Sequence, residues 1–96
     1  GGGTPEATWK AATQAHFSAI RNRYGATLPI IMTKFMTSAT RYNTTIDQID
    51  AADAYTVAID PTGAAVKDPV NDPYHWNTSG MKLMASRMLT ATANFL

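Results

Sequence analysis

The stretch Leu28-Pro29-Ile30-Ile31-Met32-Thr33-Lys34-Phe35 decides the fold class. Its start is almost continuously apolar, which is typical of a strand buried on both faces of a parallel sheet. Pro29 has no N–H to donate, so it must lie near the beginning of that strand. A second run rich in β-branched and aromatic residues, Tyr55 to Asp60, predicts a second strand.

A long helix is predicted before the first strand, from Pro5 to Tyr24. Thr4 is a suitable N-cap and Gly25 a suitable left-handed C-terminal cap. His16 falls on the apolar face, which predicts a half-buried packing histidine. The apolar face recurs at steps of three and four residues and comprises Trp9, Ala12, His16, Phe17, Ile20 and Tyr24.

Two further helices are predicted. Residues 44–52 form the first of them, between the two strands. Residues 80–95 form the second, capped by Asn77 or Thr78. The residues expected to face inward are Ile46 and Ile49 in the first, and Met81, Met84, Met88, Ala91 and Phe95 in the second.

The predicted order is helix, strand, helix, strand, loop, helix, with polar loops at residues 37–43 and 61–73. Connections of this kind imply parallel strands joined by right-handed crossovers. Two parallel strands alone do not make a stable sheet. One edge of the strand at residues 28–35 would be left unpaired, so we expect the chain to form part of a larger α/β sheet.

Length and composition limit the classes of function. The 96 residues suffice for one small domain, and 45% hydrophobic with 16% charged residues indicates a globular chain. A net charge of +1 gives no electrostatic footprint for nucleic acid or an anionic membrane. No segment is apolar enough to span a bilayer, and no signal peptide opens the chain. Localisation stays open, with secretion or a virion or cell surface as candidates.

An acid precedes a histidine by three residues in Asp72-Pro73-Tyr74-His75-Trp76-Asn77-Thr78-Ser79-Gly80. On a loop at the mouth of a sheet, the Asp72 carboxylate can fix the tautomer of His75 and stabilise its imidazolium. The alternatives are a surface-loop histidine and an aspartate that only forms an Asx turn before Pro73.

Five residues are candidates for substrate contact. Lys34, Phe35 and Thr37 fall at the carboxyl end of the first strand, the edge where open α/β sheets bind ligands. Tyr74 and Trp76 flank His75 and can stack on a sugar ring. The alternatives are a solvated strand end for the first three and packing of the loop for the aromatic pair.

Other polar residues favour simpler roles. An Asp–His pair needs no metal, so neither a metal site with Asp68 nor any cofactor is predicted. The chain has no cysteine, which excludes disulfides and thiolate metal sites. No serine lies in a Gly-x-Ser-x-Gly or Gly-Asp-Ser context, so none is predicted as a nucleophile. Asn43 and Asn77 each begin a glycosylation acceptor pattern.

From Asp72 onward the sequence resembles the last conserved block of the SGNH (GDSL-type) hydrolases. That block consists of Asp-x-x-His, a short polar turn, a glycine and a C-terminal helix. Asp72, His75, Asn77 and Gly80 stand where this pattern requires them.

The upstream residues resemble the second half of the family's carbohydrate-esterase branch, which includes sialate O-acetylesterase-like and acetylxylan-esterase-like enzymes. The likeness lies in Ile20-Arg21-x-x-Tyr24-Gly25 leading into Leu28-Pro29-Ile30-Ile31-Met32. The resemblance implies a three-layer, flavodoxin-like parallel sheet, of which this chain supplies about two strands and three helices. It also implies hydrolysis of acetyl esters on carbohydrate by a Ser-His-Asp triad, with His75 as base and Asp72 as orienting acid.

The chain departs from the family in lacking the Gly-Asp-Ser nucleophile block and the glycine and asparagine oxyanion blocks. The resemblance therefore implies that residues 1–96 are the C-terminal part of one hydrolase domain. A complementary chain or fragment would supply the serine and the oxyanion hole. The alternative is a non-catalytic carbohydrate-binding or assembly module with an α/β fold.

Overall fold

The structure, a computed structural model, describes residues 3–95. Within these residues, three α-helices accompany two small sheets of two strands each. The predicted mixed α/β class is therefore confirmed. The elements are α1 (Glu6–Tyr24), β1 (Ile30–Thr33), α2 (Asn43–Ala52), β2 (Thr56–Ile59), β3 (Val66–Asp68), β4 (Asp72–Trp76) and α3 (Thr78–Ala93), with a 3₁₀ turn (Thr40–Tyr42) before α2.

The β1–β2 pair is parallel, as predicted, although both strands are shorter than expected. The register places Ile30 beside Thr56. The Ile30 N–H donates to the Tyr55 carbonyl at 2.8 Å, and the Lys34 N–H donates to the Ile59 carbonyl at 2.9 Å. These two bonds mark the start and the end of a short ladder, beyond which the chain from residue 35 onward must find other partners.

One face of this ladder packs on α3. Side chains alternate along a strand, so Ile31, Val57 and Ile59 share that face. They meet Met84 and Ala91 of α3 in the apolar core, where Met84 is fully buried. Truncating a buried methionine of this kind costs about 2–5 kcal/mol in the free energy of unfolding.

The inward residues of α2 are as predicted, because Ile46 and Ile49 are both buried. The apolar stripe of α3 is narrower than predicted. Met81 is 53% exposed and Met88 is 39% exposed, since only the side of the helix facing the strands is covered by the described residues.

The first helix differs from the prediction in its caps and its burial. Pro5 occupies the N-cap and makes no side-chain cap, so Thr4 does not cap the helix. Gly25 has φ +132° and ψ 139°, a backbone that favours glycine but is not the left-handed helical cap expected. His16 is exposed, not half-buried, and α1 buries none of its residues.

Polar contacts from Arg21 attach α1 to the strands instead. Its guanidinium donates to the Leu28 carbonyl at 3.1 Å and to the Tyr55 carbonyl at 3.0 Å, and it pairs with the Asp53 carboxylate. Burial raises the pKa of Asp53, but the hydrogen bond from Arg21 and other donors outweigh it, so the pKa is lowered overall. Arg21 thus joins the end of α1 to the starts of both strands.

The predicted loop at residues 61–73 is wrong, because β3 and β4 form an antiparallel hairpin there. The Asp68 carboxylate closes its turn by accepting from the N–H groups of Val70 at 2.9 Å and Asn71 at 3.0 Å. Asp72 and His75 therefore lie on a strand, not on the loop expected.

Asn77 and Gly80 fasten α3 to the start of β3. The Asn77 side chain caps the helix by accepting from the Gly80 N–H at 2.9 Å, which confirms the predicted cap. Its amide also donates to the Val66 carbonyl at 3.2 Å. Gly80 lies so close to the backbone that a Cβ there would stand 2.1 Å from the Ala65 carbonyl oxygen.

The fold is less compact than expected for a single domain of this length. The radius of gyration is 14.6 Å, against about 12.5 Å expected for a compact domain of this length. The accessible surface is 6232 Å², against about 5400 Å² expected for this mass. In the described part of the chain, the outer edge of β1 has no strand partner and its four residues are only half-buried. The sequence predicted that the first strand is buried on both faces, but within the described residues β1 is only half-buried.

No helix among residues 3–95 is long and apolar enough to cross a membrane.

Replacing Gly80 with alanine should destabilise the fold by about 2 kcal/mol or more, because the new methyl group would overlap the backbone of Ala65. The urea midpoint of unfolding measures this loss. Ser79→Ala is the matched control, since Ser79 is exposed in the same helical turn. Equal midpoints for the two variants would contradict the close contact.

The free edge of β1 should be visible in amide hydrogen exchange. The N–H groups of Ile30 and Lys34 point to β2, so alternation directs those of Ile31 and Thr33 to the outer edge. In the isolated chain, Ile31 and Thr33 should exchange much faster than Lys34. If a strand from another segment pairs with this edge, Ile31 and Thr33 should become protected in that complex, with little change at Lys34. Equal protection of all these amides in the isolated chain would contradict the free edge.

Candidate active site

The predicted Asp–His pair is formed. His75 Nδ1 lies 2.7 Å from Asp72 Oδ1. The hydrogen bond from His75 is the main cause that lowers the pKa of Asp72, so the carboxylate is ionised at neutral pH and can only accept. Nδ1 must then carry the hydrogen, which leaves the lone pair on Nε2. This is the tautomer that a general base requires.

A bulge in β4 makes this contact possible. Alternation along a regular strand would direct Asp72 and His75 to opposite faces. In the hairpin, Val66 lies opposite Trp76 and Asp68 opposite Asp72, so one residue of β3 faces residues 73–75 of β4. Bulges redirect side chains in this way and are common beside active sites. The His75 side chain is 73% exposed and that of Asp72 is 33% exposed, so the imidazole is accessible from outside.

A cavity of about 260 Å³ opens at the carboxyl end of β1. All five predicted contact residues line it, whereas Asp72 and His75 do not. Tyr74 and Trp76 flank His75 in the chain, so the cavity and the Asp–His pair share the strand β4. The lining residues are Thr33, Lys34, Phe35, Met36, Thr37, Ser38, Pro61, Tyr74 and Trp76.

The walls differ in how they are held. Trp76 is half-buried and packs against the core, so its ring both supports the hairpin and lines the cavity. Tyr74 is largely exposed. The Lys34 ammonium lies 3.2 Å from an Asp47 carboxylate oxygen of α2. The cavity therefore combines aromatic surface with a cation whose charge is already balanced.

Sequence reasoning missed Thr33 and Ser38, which also line the cavity. Ser38 lies in a segment interpreted as a polar loop. Its position directly after a buried strand was the available signal, because ligands bind at the carboxyl ends of parallel strands.

No nucleophile lies beside His75 among the described residues. Its one side-chain partner in residues 3–95 is the Asp72 carboxylate, and no serine hydroxyl bonds to it. Within the same range there is no cluster of three or more His, Asp or Glu that could hold a metal ion. The geometry supplies an imidazole with a fixed tautomer on the hairpin, of which Tyr74 and Trp76 line the cavity.

Comparison of the chain with protein-family models, with curated proteins and with solved structures gives no match. The resemblance to SGNH hydrolases therefore stays a prediction.

The Asp72–His75 bond should stabilise the fold in a pH-dependent way. The folded-state pKa of Asp72 lies below its ordinary value of 3.8. Its contribution is therefore complete above that value and is lost as the pH falls through the lower folded-state pKa. In urea unfolding followed from pH 6 down to about 2, Asp72→Asn should weaken the acid dependence. His75→Ala removes the same bond and should do likewise. If the stability of both variants falls with decreasing pH as steeply as that of the wild type, the pairing is contradicted.

Proposed function

We propose that this chain carries the histidine–aspartate half of a serine esterase that removes acetyl groups from carbohydrate. The observation that carries the proposal is the 2.7 Å contact between His75 Nδ1 and Asp72 Oδ1, set beside a cavity with aromatic walls. The complete fold would be the three-layer, flavodoxin-like sheet of an SGNH-type hydrolase, completed by another segment.

The proposed reaction would have two half-reactions, transfer of the acetyl group to serine and its hydrolysis. A serine hydroxyl from the complementary segment attacks the acetyl carbonyl carbon while His75 Nε2 takes its proton. The tetrahedral intermediate collapses as His75 returns the proton to the departing sugar oxygen. Water, deprotonated by the same nitrogen, then attacks the acyl carbon, and acetate leaves as His75 returns the proton to the serine oxygen. Asp72 keeps the hydrogen on Nδ1 and stabilises the imidazolium formed in each half-reaction.

The cavity would hold the sugar. Aromatic rings present flat apolar faces of the kind that stack on pyranose rings, and Trp76 and Tyr74 offer two such faces. The hydroxyl groups of Thr33, Thr37 and Ser38 lie in the same wall and can exchange hydrogen bonds with sugar hydroxyls.

A second candidate is a non-catalytic carbohydrate-binding or assembly module. It is favoured by one observation: the cavity is built entirely from described residues of this chain, whereas no nucleophile bonds to His75 among them. The two candidates differ in whether acetate is released.

The size of the activity loss should distinguish the role of His75 from that of Asp72. In the native assembly, His75→Ala should lower esterase turnover by about three orders of magnitude or more, because the base is removed. Asp72→Asn should cost less, since it disturbs the tautomer and leaves the base in place. Circular dichroism checks that both variants fold. Near-normal release of acetate by His75→Ala would contradict the catalytic role.

Trp76→Ala should separate sugar binding from chemistry. It should weaken binding of a carbohydrate ester more than it slows cleavage of 4-nitrophenyl acetate, which has no sugar to stack. Trp76→Phe retains an aromatic face and should recover most of the loss. Equal losses on both substrates would mean that the ring only supports the hairpin.

A further inference from the structure

The segment after β1 is held by α2 instead of by a strand. The ladder to β2 ends with the Lys34 N–H bond to Ile59. At the next residue, the Phe35 N–H donates to Asn43 Oδ1 at 2.7 Å, and Asn43 Nδ2 donates back to the Phe35 carbonyl at 2.8 Å. The planar amide of Asn43 thus pairs with both backbone groups of Phe35, as the peptide of a neighbouring strand would.

Neighbouring residues of the same helix start strengthen this attachment. The Tyr42 ring lies 6.3 Å from the Phe35 ring, and Asp47 pairs with Lys34. Tyr42 is itself buried and packs against Trp9 of α1 in a tilted arrangement, with ring centres 5.0 Å apart. The Phe35 wall is therefore tied through Tyr42 to α1 as well as to α2, and a binding site needs supported walls of this kind.

We propose that Asn43 is a positioning residue for the cavity, one that fixes the Phe35 wall and so sets the affinity for carbohydrate. Asn43 does not line the cavity and acts through the backbone of Phe35. The inference rests on the proposed function only in taking the cavity as the sugar site. Nothing in the family resemblance assigns this role to Asn43.

The same geometry opposes the glycosylation pattern at Asn43. A glycan would be attached to Nδ2, the atom that donates to Phe35, and would replace one of its hydrogens with a bulky group. The Asn43 amide therefore has a structural role, which disfavours glycosylation at this position.

Asn43→Ala and Asn43→Asp, made in the native assembly that contains this chain, test the proposal. Alanine removes both bonds, whereas aspartate keeps an acceptor for the Phe35 N–H and loses the donor to its carbonyl. Asn22→Ala is the control, because Asn22 is exposed on α1 and does not line the cavity. The probes are glucose pentaacetate for binding and hydrolysis, and 4-nitrophenyl acetate for chemistry alone. Binding is followed by tryptophan fluorescence, since Trp76 lines the cavity.

Losing these bonds should raise the Kd and the KM for glucose pentaacetate about two- to tenfold in Asn43→Ala, and less in Asn43→Asp. The kcat/KM for 4-nitrophenyl acetate should stay within about twofold in both. Unchanged Kd and KM, or parallel losses on both substrates, would overturn the positioning role and leave the esterase intact. Asn43-dependent binding without any acetate release would overturn the esterase and support the positioning role. A wild-type assembly that neither binds nor hydrolyses the sugar probe would overturn both.

Discussion

The short parallel ladder between β1 and β2 is the constraint on which the rest of the structure depends. It fixes one apolar face, formed by Ile31, Val57 and Ile59, and α3 covers that face through Met84 and Ala91. It also ends early, so the chain beyond β1 leaves the sheet at the edge where the cavity opens. Because two strands cannot bury both faces and both edges, the same ladder leaves surface that another segment would have to cover.

The site depends on how the hairpin is held at both ends. Upstream, Asp68 closes the turn, and downstream Asn77 joins the end of β4 to α3. Between these two ends the regular pairing of β3 and β4 is interrupted by the bulge, and His75 lies against Asp72.

Sequence reasoning recovered the features that follow from local pattern. The parallel strands, the inward Ile46 and Ile49 and the Asn77 cap follow from hydrophobic pattern, helical periodicity and capping chemistry. The hairpin was missed because the prolines of residues 61–73 read as a loop. Yet Asp68-Pro69-Val70-Asn71 has the composition of a tight turn, with an acid first and proline second.

Other features depend on tertiary contacts that no local pattern encodes. The spacing of the methionines in α3 does not say which side of the helix is covered, so Met81 and Met88 were placed inward and are exposed. The sequence pattern places Asn43 at the end of a loop and at the start of a glycosylation acceptor pattern, and its partner Phe35 is visible only in three dimensions.

The most direct test of the central claim, that His75 serves as the base of a serine esterase, is labelling of the native assembly with a fluorophosphonate. Peptide mapping by mass spectrometry then identifies the modified residue. The account predicts a single modified serine outside residues 1–96, with labelling that becomes slower by orders of magnitude in His75→Ala. An unlabelled assembly, or labelling whose rate does not depend on His75, would contradict it.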